Sequence, residues 1–202
     1  MSAFELVFAV YGLLLGLAVA EVLGGFSRTL KLKRGSRPVK IGWLTPLLGT
    51  FVVLDLMSFW LVAWEARSQI GADYLTLVFV LGIVGIYYLA ATLIFPDDPE
   101  DWPDFDQWYD KQNRMVIGGV LAANVLSLVG EMVLEIIAPT PDAELVISEA
   151  EGWLVGGGGV AIVALLIALL KVHGRRANVA LLAVLIGLLL VVGVGEELVR
   201  PR

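Results

Sequence analysis

The sequence predicts an all-α polytopic membrane protein, a bundle of six transmembrane helices, on three observations. Apolar residues make up 58% of the 202-residue chain, and mean hydropathy is +0.85. An ordinary soluble domain is roughly half apolar, and a water-soluble core built from this pattern would lack the polar surface to cover it. Apolar runs of ~20 residues recur along the chain, the length that crosses a hydrocarbon core of ~30 Å as helix. The spans use up nearly all of residues 1–202, so a single transmembrane domain is expected.

The six spans fall at about 4–26, 42–64, 74–95, 115–138, 153–171 and 177–199. Pro96 and Pro139 follow the third and fourth as stop signals. Trp43, Trp64, Tyr74 and Trp153 stand at predicted ends, where amphipathic rings favour the headgroup level. In the first span, "AVA" at 18–20 has the look of a signal-peptidase site. Glu5 stands where a positive n-region would be needed, so a retained span is expected.

Basic residues set the expected orientation. The loop after span one carries Arg28, Lys31, Lys33, Arg34, Arg37 and Lys40. The loop after span three carries Lys111 and Arg114, and the loop after span five Lys171, Arg175 and Arg176. Only Arg67, Arg200 and Arg202 of the 14 basic residues fall on the other side. The positive-inside rule then makes those three loops cytoplasmic and puts both termini outside, in a plasma (bacterial inner) membrane. The third loop, "PDDPEDWPDFDQWYDKQNR", is strongly acidic, but acids count little in that rule. Within it, Phe105, Trp108, Tyr109 and Gln112 follow i, i+3, i+4, i+7 after a capping Pro103-Asp104 start. That spacing predicts a short interfacial helix turning into span four, with a solvated acidic linker as the alternative.

Composition excludes several chemistries. There is no cysteine, so disulfides and thiolate sites are out, and a single histidine, His173, rules out two-histidine metal motifs within one chain. A net charge of −6 disfavours nucleic acid as a partner. No Gly-x-Ser-x-Gly elbow, P-loop lysine motif or calcium loop occurs, and neither a cofactor nor a metal is expected. The chain is not expected to be an enzyme. His173, in "KVHGRR", reads as a solvated residue of a basic turn, and the basic clusters at 28–40 and 171–176 suit lipid phosphate.

The polar residues inside the apolar runs carry the functional expectation. In "NVLSLVGEMVLEIIAP", Asn124, Ser127, Glu131 and Glu135 are spaced i, i+3, i+7, i+11, one stripe of a helix. A carboxylate facing lipid near the bilayer centre costs about 2.5–3.5 kcal/mol or more, so the stripe is expected to face protein or water. Asp55 falls near the middle of span two, with Ser58 a turn along, and Glu21 lies near the cytoplasmic end of span one. Together these seven residues form a candidate route for protons or small cations. The competing expectation is plain hydrogen bonding between helices. Gly12, Gly16, Ala20 and Gly24, spaced by four, form a small-residue stripe for helix packing. Gly156, Gly157, Gly158 and Gly159 are expected to pack tightly or to weaken span five.

In size, the chain resembles the small bacterial potassium channels that assemble as tetramers of six-helix subunits. Their first helix carries Arg-x-x-x-Phe-Ser-Asp, whereas "GGFSRTL" has Phe26-Ser27 followed by Arg28 and no upstream arginine, so no family is assigned. Two function classes follow. One is a channel or transporter for protons or small cations. The other is a non-catalytic structural or accessory subunit of a membrane complex. Either is expected to work in the lipid bilayer as a homo-oligomer or complex subunit.

Overall fold

The computed structural model describes residues 3–34, 39–71, 73–98, 102–139 and 149–199, the side chains of 3–4, 149–155 and 196–199 excepted. Trp153, the Glu196 and Glu197 pair, Arg37, Arg200, Arg202 and the acidic stretch 140–148 therefore lie outside the described residues or side chains.

The chain is all-helical: α1 (Ala3–Lys33), α2 (Leu44–Glu65), a 3-10 turn (Ala66–Ser68), α3 (Tyr74–Thr92), α4 (Phe105–Ile137), α5 (Glu149–Lys171) and α6 (Arg175–Val199). Among the described residues, five helices are long and apolar enough to cross a membrane. In α5 the described apolar stretch, Gly156–Lys171, is shorter than a full crossing.

Two helices run well past their expected ends. α1 continues through Arg28, Lys31 and Lys33, which the sequence reading placed in a loop. At 1.5 Å per residue its 31 residues reach ~46 Å, longer than the ~30 Å core. α4 begins at Phe105 rather than near 115, so the amphipathic segment forms the first turns of one unbroken 33-residue helix, with no turn before the span. The expected cap is in place, because the Asp104 side chain accepts from Asp106 N at 2.9 Å. Asp73 caps α3 in the same way, accepting from Thr76 N at 2.9 Å. α4 stops two residues before Pro139, whose ring disfavours helix in the residue preceding it.

Neighbouring helices form a closed ring in the order α1, α3, α4, α5, α6, α2, and α2 also meets α4 across the middle. The core is built from Leu15, Ala18 and Val22 of α1, Phe51, Val52 and Leu56 of α2, and Val84 and Tyr87 of α3. Ile117, Val120 and Ala123 of α4, Leu166 of α5, and Leu182 and Leu185 of α6 complete it. Outward positions are apolar as well, among them Leu13, Leu75, Ile136 and Val160. Such a surface suits lipid, where packing and hydrogen bonds rather than hydrophobic burial hold helices together.

The loops after α1, α3 and α5 gather at one end of the bundle. Lys40 N donates to Pro103 O at 2.8 Å and Phe105 N to Lys40 O at 2.9 Å, while Lys40 Nζ lies 2.9 Å from Asp104 Oδ2. Gly42, at φ +64°, lets the first loop fold over the start of α4, where a side chain would run into the Asp106 carboxylate. Thr45 Oγ1 donates to Phe105 O at 3.0 Å, and Phe105 and Tyr109 are buried, so this loop clasps the bundle. Arg175 pairs with Asp110 at 2.5 Å, and Arg114 meets His173 Nε2 at 2.5 Å. His173 is thus exposed but partnered.

Candidate functional site

The middle of the bundle holds a polar triangle. Asp55, from α2, is 2% exposed. Tyr87, from α3, donates its hydroxyl to Asp55 Oδ2, and Asn124 Nδ2, from α4, donates to the same oxygen at 3.1 Å. Asn124 Nδ2 also lies 2.9 Å from Tyr87 Oη and 3.0 Å from Val120 O. Three helices are therefore tied at one carboxylate oxygen. Among the described residues no lysine, arginine or histidine bonds to it, so the carboxylate is held by neutral donors alone.

The surroundings position these groups. Phe59 packs edge-on to Tyr87 with centroids 4.7 Å apart, and Tyr11 donates its hydroxyl to Phe59 O at 2.7 Å, linking α1 to the same region. Leu48, Phe51 and Val52, one to two turns before Asp55 on α2, are all buried and apolar. On α4 the stripe leads the other way. Ser127 Oγ donates to Glu131 Oε1 at 3.3 Å, and both lie one to two turns past Asn124. Glu131 and Glu135 are exposed on the single chain. Glu135 accepts from Gln69 Nε2 at 2.9 Å, and the same nitrogen donates to Ala138 O at 2.9 Å, joining the α2–α3 turn to the end of α4.

Of the expected residues, Asp55 and Asn124 meet directly, and Ser127, Glu131 and Glu135 extend from them along α4. Two stand apart. Ser58 Oγ donates to Leu54 O of its own helix at 3.3 Å, and Glu21 pairs with Arg28 of its own helix at 3.1 Å. Arg67 donates to Trp64 O at 3.1 Å and lies over the Trp64 ring. Tyr87 is the site residue that sequence reasoning missed. The signal was present in "GIVGIYYLAA", since a tyrosine buried in a span needs a partner for its hydroxyl.

The glycines divide similarly. A Cβ at Gly12 would approach Trp60 to 2.7 Å and one at Gly158 would approach Val192 to 2.5 Å, so both sit at tight helix contacts. Gly16, Gly156, Gly157 and Gly159 face open space, Ala20 is exposed, and Gly24 has only Arg28 nearby. Close contacts unforeseen from spacing lie at Gly25 against Phe95 and Gly119 against Ala90. α5 remains helical through all four consecutive glycines.

Comparison with family models, curated proteins and solved structures returned no match. The class that fold and site define is a membrane-embedded helical protein with a buried carboxylate at its centre.

Proposed function

We propose that this chain is a six-span membrane protein that transports protons or small cations, with Asp55 as the binding group. The observation that carries the reading is a buried carboxylate held only by neutral donors, at the foot of a polar stripe that leads to exposed Glu131 and Glu135. A lysine or arginine partner would lock the carboxylate in its charged form. Tyrosine and asparagine do not, because a hydroxyl donates to a carboxylate and accepts from a carboxylic acid. Asp55 can therefore gain and lose a proton without leaving its partners unmatched. The buried Leu48, Phe51 and Val52 favour a carrier over an open pore, since they separate Asp55 from Thr45, the next buried polar residue described on α2. In this reading α5 completes the sixth span, the basic loops are cytoplasmic and both termini lie outside a plasma membrane. The exposed Gly16 and Ala20 suit a second copy or a partner subunit.

Flux in proteoliposomes tests the proposal. Asp55→Asn should abolish proton or cation movement while the protein remains folded. A wild type indistinguishable from empty liposomes, across several cations and a pH gradient, sinks it.

The second reading is a structural or accessory subunit. It is favoured by the way carboxylates of the helices find partners inside the chain: buried Asp55 with Tyr87 and Asn124, Glu135 with Gln69, Glu21 with Arg28.

A further inference from the structure

The overlong end of α1 forms a second site. Leu23, Phe26, Ser27, Leu30, Lys31 and Arg34 line an open recess of about 350 Å³ along one face of the helix. Their spacing is i, i+3, i+4, i+7, i+8, i+11, so they stack along one stripe. Phe26 is fixed by an edge-on contact with Phe95, centroids 5.1 Å apart, while Leu23 and Leu30 stand exposed. The stripe changes character along its length: Leu23, Phe26 and Leu30, with Ser27 among them, give way to the two cations Lys31 and Arg34.

The charges at its end are uncommitted. Arg28 is neutralised by Glu21 at 3.1 Å, but among the described residues neither Lys31 nor Arg34 has a carboxylate partner. A helix C-terminus alone repels anions, because its last carbonyls carry partial negative charge. Both cations are therefore needed to make this end attractive to one.

We propose that this recess binds one anionic phospholipid, its phosphate on Lys31 and Arg34 and its acyl chain along Leu23, Phe26 and Leu30. The order of groups along the stripe matches the order within the lipid. A free phosphate would make no use of the apolar half, which commits the site to a membrane source. The site is independent of Asp55 and of transport.

The test is native mass spectrometry of the full chain in mild detergent, titrated with phosphatidylglycerol, phosphatidylcholine or glycerol 3-phosphate. One phosphatidylglycerol should bind in preference to phosphatidylcholine, and glycerol 3-phosphate should not displace it. Lys31→Gln with Arg34→Gln should weaken binding roughly thirtyfold, from the usual attraction of a basic residue to an anionic lipid taken twice. Lys31→Arg with Arg34→Lys should restore it. Lys111→Gln with Arg114→Gln makes the same charge change on α4, where Lys111 lies over the Trp102 ring and Arg114 meets His173, and should leave binding intact. Equal binding of phosphatidylcholine, full displacement by glycerol 3-phosphate, unchanged binding by the glutamine pair at 31 and 34, or equal loss by the control pair would each overturn the proposal.

Discussion

Asn124 Nδ2 lies 3.1 Å from Asp55 Oδ2, and the oxygen it reaches is the one that also accepts from Tyr87. Convergence on one atom has a consequence for mutagenesis. An asparagine at position 55 places its carbonyl where Oδ2 stands and keeps both donors satisfied, losing only the ability to ionise. The chemical and the structural roles of Asp55 are therefore separable.

Asp55→Leu should lower stability, because it leaves the Tyr87 hydroxyl and the Asn124 amide without their shared acceptor. Interhelical hydrogen bonds in membranes average ~0.6 kcal/mol, and a buried unmet donor costs ~1–3 kcal/mol. Asn124 keeps Val120 O and Tyr87 Oη as acceptors, so the donor left unmet is the Tyr87 hydroxyl, and the expected loss is about 1–3 kcal/mol, with Asp55→Asn close to wild type. Unfolding in mixed detergent micelles measures both. A leucine variant as stable as wild type would show that the triangle does not hold α2, α3 and α4 together.

The Lys40–Asp104 pair predicts a pH dependence at the clasped end. Partial burial raises the Asp104 carboxyl, but the Lys40 ammonium and the Asp106 backbone N–H outweigh it and hold the group below the usual carboxylate range. A carboxyl depressed in the folded state stabilises the fold above its unfolded value of about 3.9, and that contribution disappears as pH falls through the lower folded value. Asp104→Asn keeps a good helix cap and removes the charge. It should cost up to about 1 kcal/mol at pH 7, with the gap to wild type closing below pH ~3.9. A gap that persists undiminished in acid would place the effect of Asp104 in its cap alone.

The all-helical, apolar character of the fold was readable because span length and apolar runs are dictated by the solvent, one segment at a time. Helix ends were less readable. Arg28, Lys31 and Lys33 look like loop residues when counted as charges, yet basic residues are favourable in a last helical turn, so α1 continues through them. Phe105 and Tyr109 announced an amphipathic helix by spacing, but the bond from Thr45 to the Phe105 carbonyl and the close approach of Gly42 to Asp106 come from some sixty residues earlier, and local pattern does not record them. In the site, the Asn124–Ser127–Glu131 stripe was legible from one helix. Its meeting with Asp55, and the part played by Tyr87, depend on how three helices pack.

Both termini outside is a prediction that single cysteines decide, since the chain contributes no native thiol. Gly35→Cys lies in the basic loop after α1, and Leu145→Cys lies between α4 and α5. An impermeant thiol reagent added to intact cells should label position 145 and leave position 35 unmodified until the membrane is opened. The reverse pattern would invert the whole bundle and put the Glu131 end of the stripe on the cytoplasmic side.

Glu131 and Glu135 offer the sharpest discrimination between the two functional readings. Both lie on the α4 stripe beyond Asn124, but their attachments differ: Glu131 bonds to Ser127 inside the stripe, and Glu135 bonds to Gln69 at the bundle end. If protons or cations reach Asp55 along this stripe, Glu131→Gln should slow flux several-fold or shift its pH dependence, because it removes the first carboxylate past Asn124 on the stripe. Glu135→Gln should have a smaller effect, since that carboxylate stands nearer water and its role in bridging to Gln69 survives in a glutamine carbonyl. Proton flux in proteoliposomes, driven by an imposed pH gradient and followed with an entrapped dye, measures the order. Equal and negligible effects of both variants in an active wild type would remove the stripe from the route and leave it as a set of helix contacts.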